Sequence, residues 1–88
     1  MTTKERITRS LTQAFSPASL EVVDESHLHK GHAGHREGGE THFRVRIVSA
    51  AFSGRSRLEM HRLINQTLAA EMGPGGIHAL AIEAKATA

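Results

Sequence analysis

The stretch Ser26–Phe43 reads SHLHKGHAGHREGGETHF and contains His27, His29, His32, His35 and His42, five of the seven histidines in the chain. Imidazole is the commonest protein metal ligand and the side chain that titrates nearest neutral pH. Gly31, Gly34, Gly38 and Gly39 lie among these histidines. Glycine lets a chain curl until side chains several residues apart converge. The chemistry on offer is metal ligation. The competing reading is a polar hairpin loop rich in histidine, and this stretch alone does not choose between them. A sixth histidine, His78, sits far away in Ile77-His78-Ala79-Leu80-Ala81-Ile82. Whether it meets the others depends on the fold.

The elements that must position these residues can be read in order. Thr2 and Glu5 have capping-box spacing. Ile7, Leu11, Ala14 and Phe15 then form one apolar stripe of a first helix, and Pro17 stops it by disfavouring helix at Ser16. Leu20–Glu25 reads as a strand. Phe43–Ser49 is the clearest strand, with Phe43, Val45 and Ile47 alternating with Arg44, Arg46 and Val48. A connection with a turn at Ser53-Gly54 follows. Ser56 and Glu59 repeat the capping-box spacing, and Met60, Leu63, Ile64, Leu68 and Met72 make the stripe of a second helix. Gly73-Pro74-Gly75-Gly76 is expected to end it. Ile77–Ala84 is the last strand.

The order α-β-β-α-β predicts a two-layer α+β domain covering residues 1–88. Its loop spans about residues 27–41, and a disordered tail is expected at 85–88. The first two strands should form an antiparallel hairpin. The crossover through the second helix should place the third strand parallel to the second, right-handed. The result is a three-stranded mixed sheet with both helices on the Leu20/Val22/Phe43/Val45/Ile47 face. A parallel third strand starts at the end of the sheet where the His-rich loop enters the second strand. His78 is therefore expected beside that loop, with His42 as a neighbour or outer-shell partner. A lone histidine at a strand edge is usually structural. One next to four loop histidines is favoured as a ligand.

Composition narrows the class of site. The chain has no Cys, so there is no disulfide, thiolate ligand or thiol nucleophile. A closed structural zinc site usually draws on Cys at short spacing. No carboxylate pair is placed by a rigid element, which leaves an enzyme reading weak. A half-site fits better, with one or two imidazoles from this chain and the remaining ligands from a partner. His can replace Cys on one iron of a [2Fe-2S] cluster, and a chain without Cys holds such a cluster only by sharing it. The formal net charge is +2. This permits weak nucleic-acid affinity without demanding it. No apolar run approaches the roughly 20 residues of a membrane span. The lack of a secretory h-region and of Cys leads us to expect a cytoplasmic protein.

Val23-Asp24-Glu25-Ser26-His27-Leu28-His29, Glu40-Thr41-His42-Phe43-Arg44-Val45, Met60-His61-Arg62-Leu63 and Ile77-His78-Ala79-Leu80-Ala81-Ile82 together resemble the BolA family over nearly the whole chain. The resemblance implies a fold similar to type II KH domains and a monothiol glutaredoxin partner. It also implies a [2Fe-2S] cluster shared with that partner, whose cysteine and a glutathione thiol supply the sulfur side, and a role in iron–sulfur and iron homeostasis. Carried onto this sequence, the histidine ligands are His78 and, by its place in ESHxH, His29. The loop is longer than is usual in the family, so His27, His32 and His35 stay open as alternatives to His29. His61 matches a family position and is read as structural or partner-facing.

The alternative implied function is a DNA-binding regulator of morphology and stress genes, acting through Arg55, Arg57 and Arg62 on the second helix. Arginine forks and helix N-termini suit phosphate, although a solvated basic face would look the same. Gly73-Pro74-Gly75-Gly76 spells GxxG but precedes a strand, whereas a KH clamp lies between helices. A histidine-rich metal buffer rests only on His32 and His35. A homodimer of the free protein is left open.

One expectation concerns motion. Residues from about His29 to Gly39 combine four glycines with almost no apolar side chains, so they should be the least ordered interior segment of the free protein. Backbone order parameters from nuclear magnetic resonance should fall well below those of Phe43–Ser49. Equal values would show a pre-built loop.

Overall fold

The computed structural model describes residues 2–25, 42–72 and 76–87. The expectation for His29–Gly39 lies outside them. α1 runs Thr3–Phe15. Thr2 Oγ1 accepts the Glu5 backbone N–H, and the Glu5 carboxylate accepts the Thr2 N–H, closing the capping box. Ile7 and Leu11 are fully buried, Phe15 packs against the core from a half-buried position, and Ala14 is exposed. Ser16 ends the helix in the left-handed region at φ 43°.

β1 (Ser19–Asp24) pairs antiparallel with β2 (His42–Val48), with Leu20 opposite Ile47 and Val22 opposite Val45. β2 pairs parallel with β3 (Ala79–Lys85), with Phe43 beside Leu80 and Val45 beside Ile82. The strand order is β1-β2-β3, so the mixed sheet is as the crossover argument predicts. α2 runs Arg57–Thr67 behind a second closed capping box made by Ser56 and Glu59. The core lies between the helices and one sheet face and is made of Ile7, Leu11, Val22, Phe43, Val45, Ile47, Phe52, Ile64, Leu68 and Ile77. Leu80, Ile82 and Ala84 pack against it from β3. Among the described residues no helix is long and apolar enough to cross a membrane.

β1 and β2 each begin and end one residue earlier than the sequence reading, and larger differences lie at α2 and β3. α2 ends at Thr67, before the glycine-rich segment, and the chain tightens into a 3-10 turn over Ala69–Glu71. Thr67 Oγ1 donates to the Leu63 carbonyl at 2.8 Å, as Thr8 and Thr12 donate to the carbonyls four residues back within α1. Leu68 stays fully buried, whereas Met72 is 36% exposed and leaves the expected stripe. β3 begins at Ala79, two residues later than expected, and extends through Lys85, whose carbonyl accepts the Ser49 N–H at 3.0 Å. Lys85 therefore belongs to the sheet and not to a tail. Ile77 escapes the strand alternation because it forms an isolated parallel bridge with Met72, and it enters the core at 2% exposure.

The connection after β2 is more structural than its sequence indicates. Ala50–Phe52 forms a 3-10 turn that drives Phe52 into the core, 5.0 Å centroid to centroid from Phe15. Ser49 is fully buried. Its hydroxyl donates to the Phe15 carbonyl at 2.6 Å and accepts the Ala51 N–H at 3.1 Å. It thus ties the end of α1 to the end of β2. Ser49→Ala should destabilise the fold by about 1–3 kcal/mol, because it leaves a carbonyl and an N–H without their partner. Urea unfolding checks this, and an unchanged midpoint would show that water replaces the hydroxyl.

Candidate metal half-site

The site is built at the end of the sheet where β2 and β3 begin. The Glu25 N–H donates to the His42 carbonyl at 2.7 Å, closing the β1–β2 ladder just where the chain leaves at Ser26 and returns at His42. Both ends of the histidine-rich segment are therefore fixed to the sheet. Parallel pairing sets Ala79 beside His42, and His78 immediately precedes Ala79. The imidazole rings of His42 and His78 lie 5.4 Å apart, centroid to centroid, tilted by 56°. That falls within the usual range for tilted ring contact. His42 is buried at 7% exposure, and His78 is exposed.

The juxtaposition expected from topology is thus present. His78 is an accessible imidazole on the rim of a fixed strand, with a buried imidazole against it. His29, with the alternatives His27, His32 and His35, lies outside the described residues. Among the described residues no three His, Cys, Asp or Glu side chains gather as a metal site. His78 and His42 are what this part of the chain offers.

A pocket of about 260 Å³ opens beside this corner, lined by Glu25, His42, Phe43, Arg44, Ala79, Leu80 and Ala81. An ion-pair ladder crosses the sheet face turned away from the helices. Arg44 Nε donates to Glu25 at 3.0 Å and its Nη1 to Glu83 at 3.0 Å. Arg46 Nε reaches the same Glu83 oxygen at 3.2 Å, and its Nη1 reaches Glu21 at 2.7 Å. Each arginine bridges β2 to both neighbouring strands or their immediate extension. The register brings these partners together on a face open to water, because Arg44 and Arg46 lie opposite Val23 and Glu21 on β1 and beside Ala81 and Glu83 on β3. The hydrogen bond from Arg44, followed by the charges of Arg46 and Arg44, holds the Glu83 carboxyl below its ordinary range. The Glu25 and Glu83 carboxylates raise Arg44 further above an already high value.

Of the alternative nucleic-acid residues, Arg55 lies just before α2, Arg57 is its first residue and Arg62 lies at its middle. Arg55 is partly engaged, with Nε on the Ala51 carbonyl at 3.2 Å and Nη1 3.8 Å from Glu59. Arg57 and Arg62 are exposed. Arg57 lines a second groove with Met60, His61, Ile82, Glu83, Ala84 and Lys85. His61 is half-buried there, not part of the His42–His78 corner.

The family model for BolA-like protein matches residues 11–88. The chain belongs to the BolA-like family. It is 51% identical over 84 residues to a Sinorhizobium protein described as "Uncharacterized protein in cobS 5'region", covering 94% of this chain and 89% of that one. It is 46% identical over 82 residues to the Escherichia coli "DNA-binding transcriptional regulator BolA", covering 93% of this chain and 73% of that protein. Against the Arabidopsis thaliana "SufE-like protein 1, chloroplastic/mitochondrial" it is 47% identical over 94% of its own length but spans only 23% of that longer protein. The solved structure of the BolA domain of SufE1 from Arabidopsis thaliana superposes with a TM-score of 0.81 at 47% identity, covering 94% of this chain and 90% of that one. The two helices and three-stranded mixed sheet are those of this family's solved members.

The ladder makes an acid prediction for this BolA-like chain. Glu83 has a folded-state pKa below its ordinary value of 4.5. Its contribution to stability is therefore complete above that value and is lost as pH falls through the lower folded-state pKa. Glu5 and Glu59, held down by the capping N–H groups of Thr2 and Ser56, act in the same direction. Urea midpoints should be flat above the carboxylate range and decline below it. Glu83→Gln should make the decline shallower. An identical decline in that variant would exclude Glu83 from the linkage.

Proposed function

We propose that this BolA-like chain is the histidine-bearing partner of a monothiol glutaredoxin and shares a [2Fe-2S] cluster with it in the cytoplasm, serving iron–sulfur and iron homeostasis as a binding protein and not as an enzyme. The observation that carries the reading is the corner at the start of β2 and β3. There an exposed His78 lies immediately before β3, against His42, where a segment holding four further histidines joins β2. The donor set is imidazole without thiolate, which suits one half of a shared cluster whose other half is sulfur-ligated.

His78 and His29 would hold the cluster on this side. When bound, the cluster would supply one-electron chemistry, at a potential raised by imidazole ligation. The chain's own contribution is placement. His78 would be presented to a partner from a bend held between the buried Ile77 and the first residue of β3, so less conformational entropy remains to be lost on binding. His42 fills the space behind it. A ligand from the loop carries a larger ordering cost, and neighbouring histidines offer substitutes for it.

The second reading, DNA binding through Arg55, Arg57 and Arg62, is favoured by the name of the Escherichia coli relative. The two separate on salt. Phosphate contacts lose affinity steeply as salt rises. Duplex binding that is absent even at low salt, or is unaffected by Arg57→Ala with Arg62→Ala, would remove this reading.

For the cluster reading, His78→Ala should disrupt the shared cluster more than His29→Ala, and both variants should stay folded. Each variant is reconstituted with the host's monothiol glutaredoxin, and visible absorption, circular dichroism and chelator resistance are followed. A wild-type cluster spectrum and lifetime in His78→Ala would exclude His78 as a ligand.

A further inference from the structure

His78 lies in a bend, one residue before β3 and two after Gly76, so the strand alone does not fix its backbone. What precedes it is anchored twice. Ile77 is buried at 2% exposure, and its N–H donates to the Glu71 carbonyl at 2.7 Å. Met72 pairs with Ile77 in a parallel bridge. The chain thus leaves the 3-10 turn at Glu71 and returns to the same residue just before His78.

Glu71 is itself held from the other helix. Arg6 Nε donates to the Glu71 carboxylate at 2.8 Å, and Arg6 Nη2 donates to Thr3 Oγ1 at 3.0 Å. Thr3 is buried at 5%, and Ile7, next to Arg6, is fully buried in the core. A continuous set of contacts therefore runs from α1 through Arg6, Glu71 and Ile77 to His78. The ring of His42 abuts His78 from β2.

The Arg6 side chain is 43% exposed and that of Glu71 19%. A pair this open contributes little to global stability. Its effect is geometric, because it fixes the residue whose carbonyl receives the Ile77 amide. We propose that Arg6 and Glu71 are positioning residues for His78, holding its backbone where the imidazole faces a partner. This rests on the reading of His78 as the ligand in a shared metal centre.

The test has one arm in the free protein and one in the complex. Arg6→Ala, Glu71→Ala and the exchanged pair Arg6→Glu with Glu71→Arg are compared with Leu20→Ala. Leu20 is a partly buried core contact on β1, opposite Ile47, and this variant controls for general destabilisation. In the free proteins, amide exchange of Ile77, backbone order of His78 and the nuclear Overhauser contact between the His42 and His78 rings are measured. Both single variants should speed Ile77 exchange about two- to fivefold, the scale of an exposed ion pair. They should also weaken the ring contact beyond any change in Leu20→Ala, and the exchanged pair should recover most of the loss. In the glutaredoxin complex, cluster lifetime should shorten by a similar factor in the singles and recover in the exchanged pair.

Unchanged Ile77 exchange and ring contact would overturn the proposal whatever the cluster does. Loosened exchange with an unchanged cluster lifetime would overturn it as well, leaving Arg6–Glu71 a surface ion pair. If His78→Ala leaves the cluster intact, the ligand reading fails separately, and the free-protein arm still decides whether Arg6 and Glu71 hold His78.

Discussion

The parallel pairing of β2 with β3 is the constraint on which the site depends. An antiparallel third strand would start at the opposite end of the sheet and carry His78 away from His42. The crossover through α2 is too long for a hairpin and must bury its apolar stripe on the sheet. A right-handed parallel connection satisfies both requirements. One consequence is the adjacency of His42 and Ala79. Another is the 5.4 Å approach of two imidazoles that stand 36 positions apart in sequence (78 − 42).

The two faces of the sheet divide the labour. One carries Phe43, Val45 and Ile47 on β2, all at or below 2% exposure, and receives both helices. The other carries the Arg44 and Arg46 ladder, which joins three strands through Glu21, Glu25 and Glu83. Exposed ion pairs contribute little singly. A shared carboxylate such as Glu83, contacted by both arginines, also disfavours register slips, because a one-residue shift would send these charges to the core face.

The site combines a fixed element and a tethered one. His78 is held by β3, by the buried Ile77 and by the return to Glu71. The histidine-rich segment is tied at its two ends by the Glu25–His42 closure of the ladder. In the proposed half-site, His78 is the ligand placed in advance, which lowers the ordering cost of binding.

Several features were legible in the sequence because they are local. Both capping boxes follow from spacing alone, since a Ser or Thr three residues before Glu can close the bonds without help from elsewhere. The alternation of β2 and the end of α1 at Pro17 are equally local. The order of elements then implied the parallel strand and the meeting of His78 with the loop's end. Tertiary structure alone decided the rest. Phe52 reads as part of a connection and Ser49 as a strand end, yet both are buried because a 3-10 turn beginning after Ser49 packs beside the end of α1. Met72 fits the helical stripe by spacing, but Leu68 takes the last core position and the helix stops. Arg6 and Glu71 are 65 residues apart, and no local pattern pairs them. Their contact exists only because α1 and the turn after α2 pack on the same sheet, which brings together groups that neither periodicity nor propensity relates.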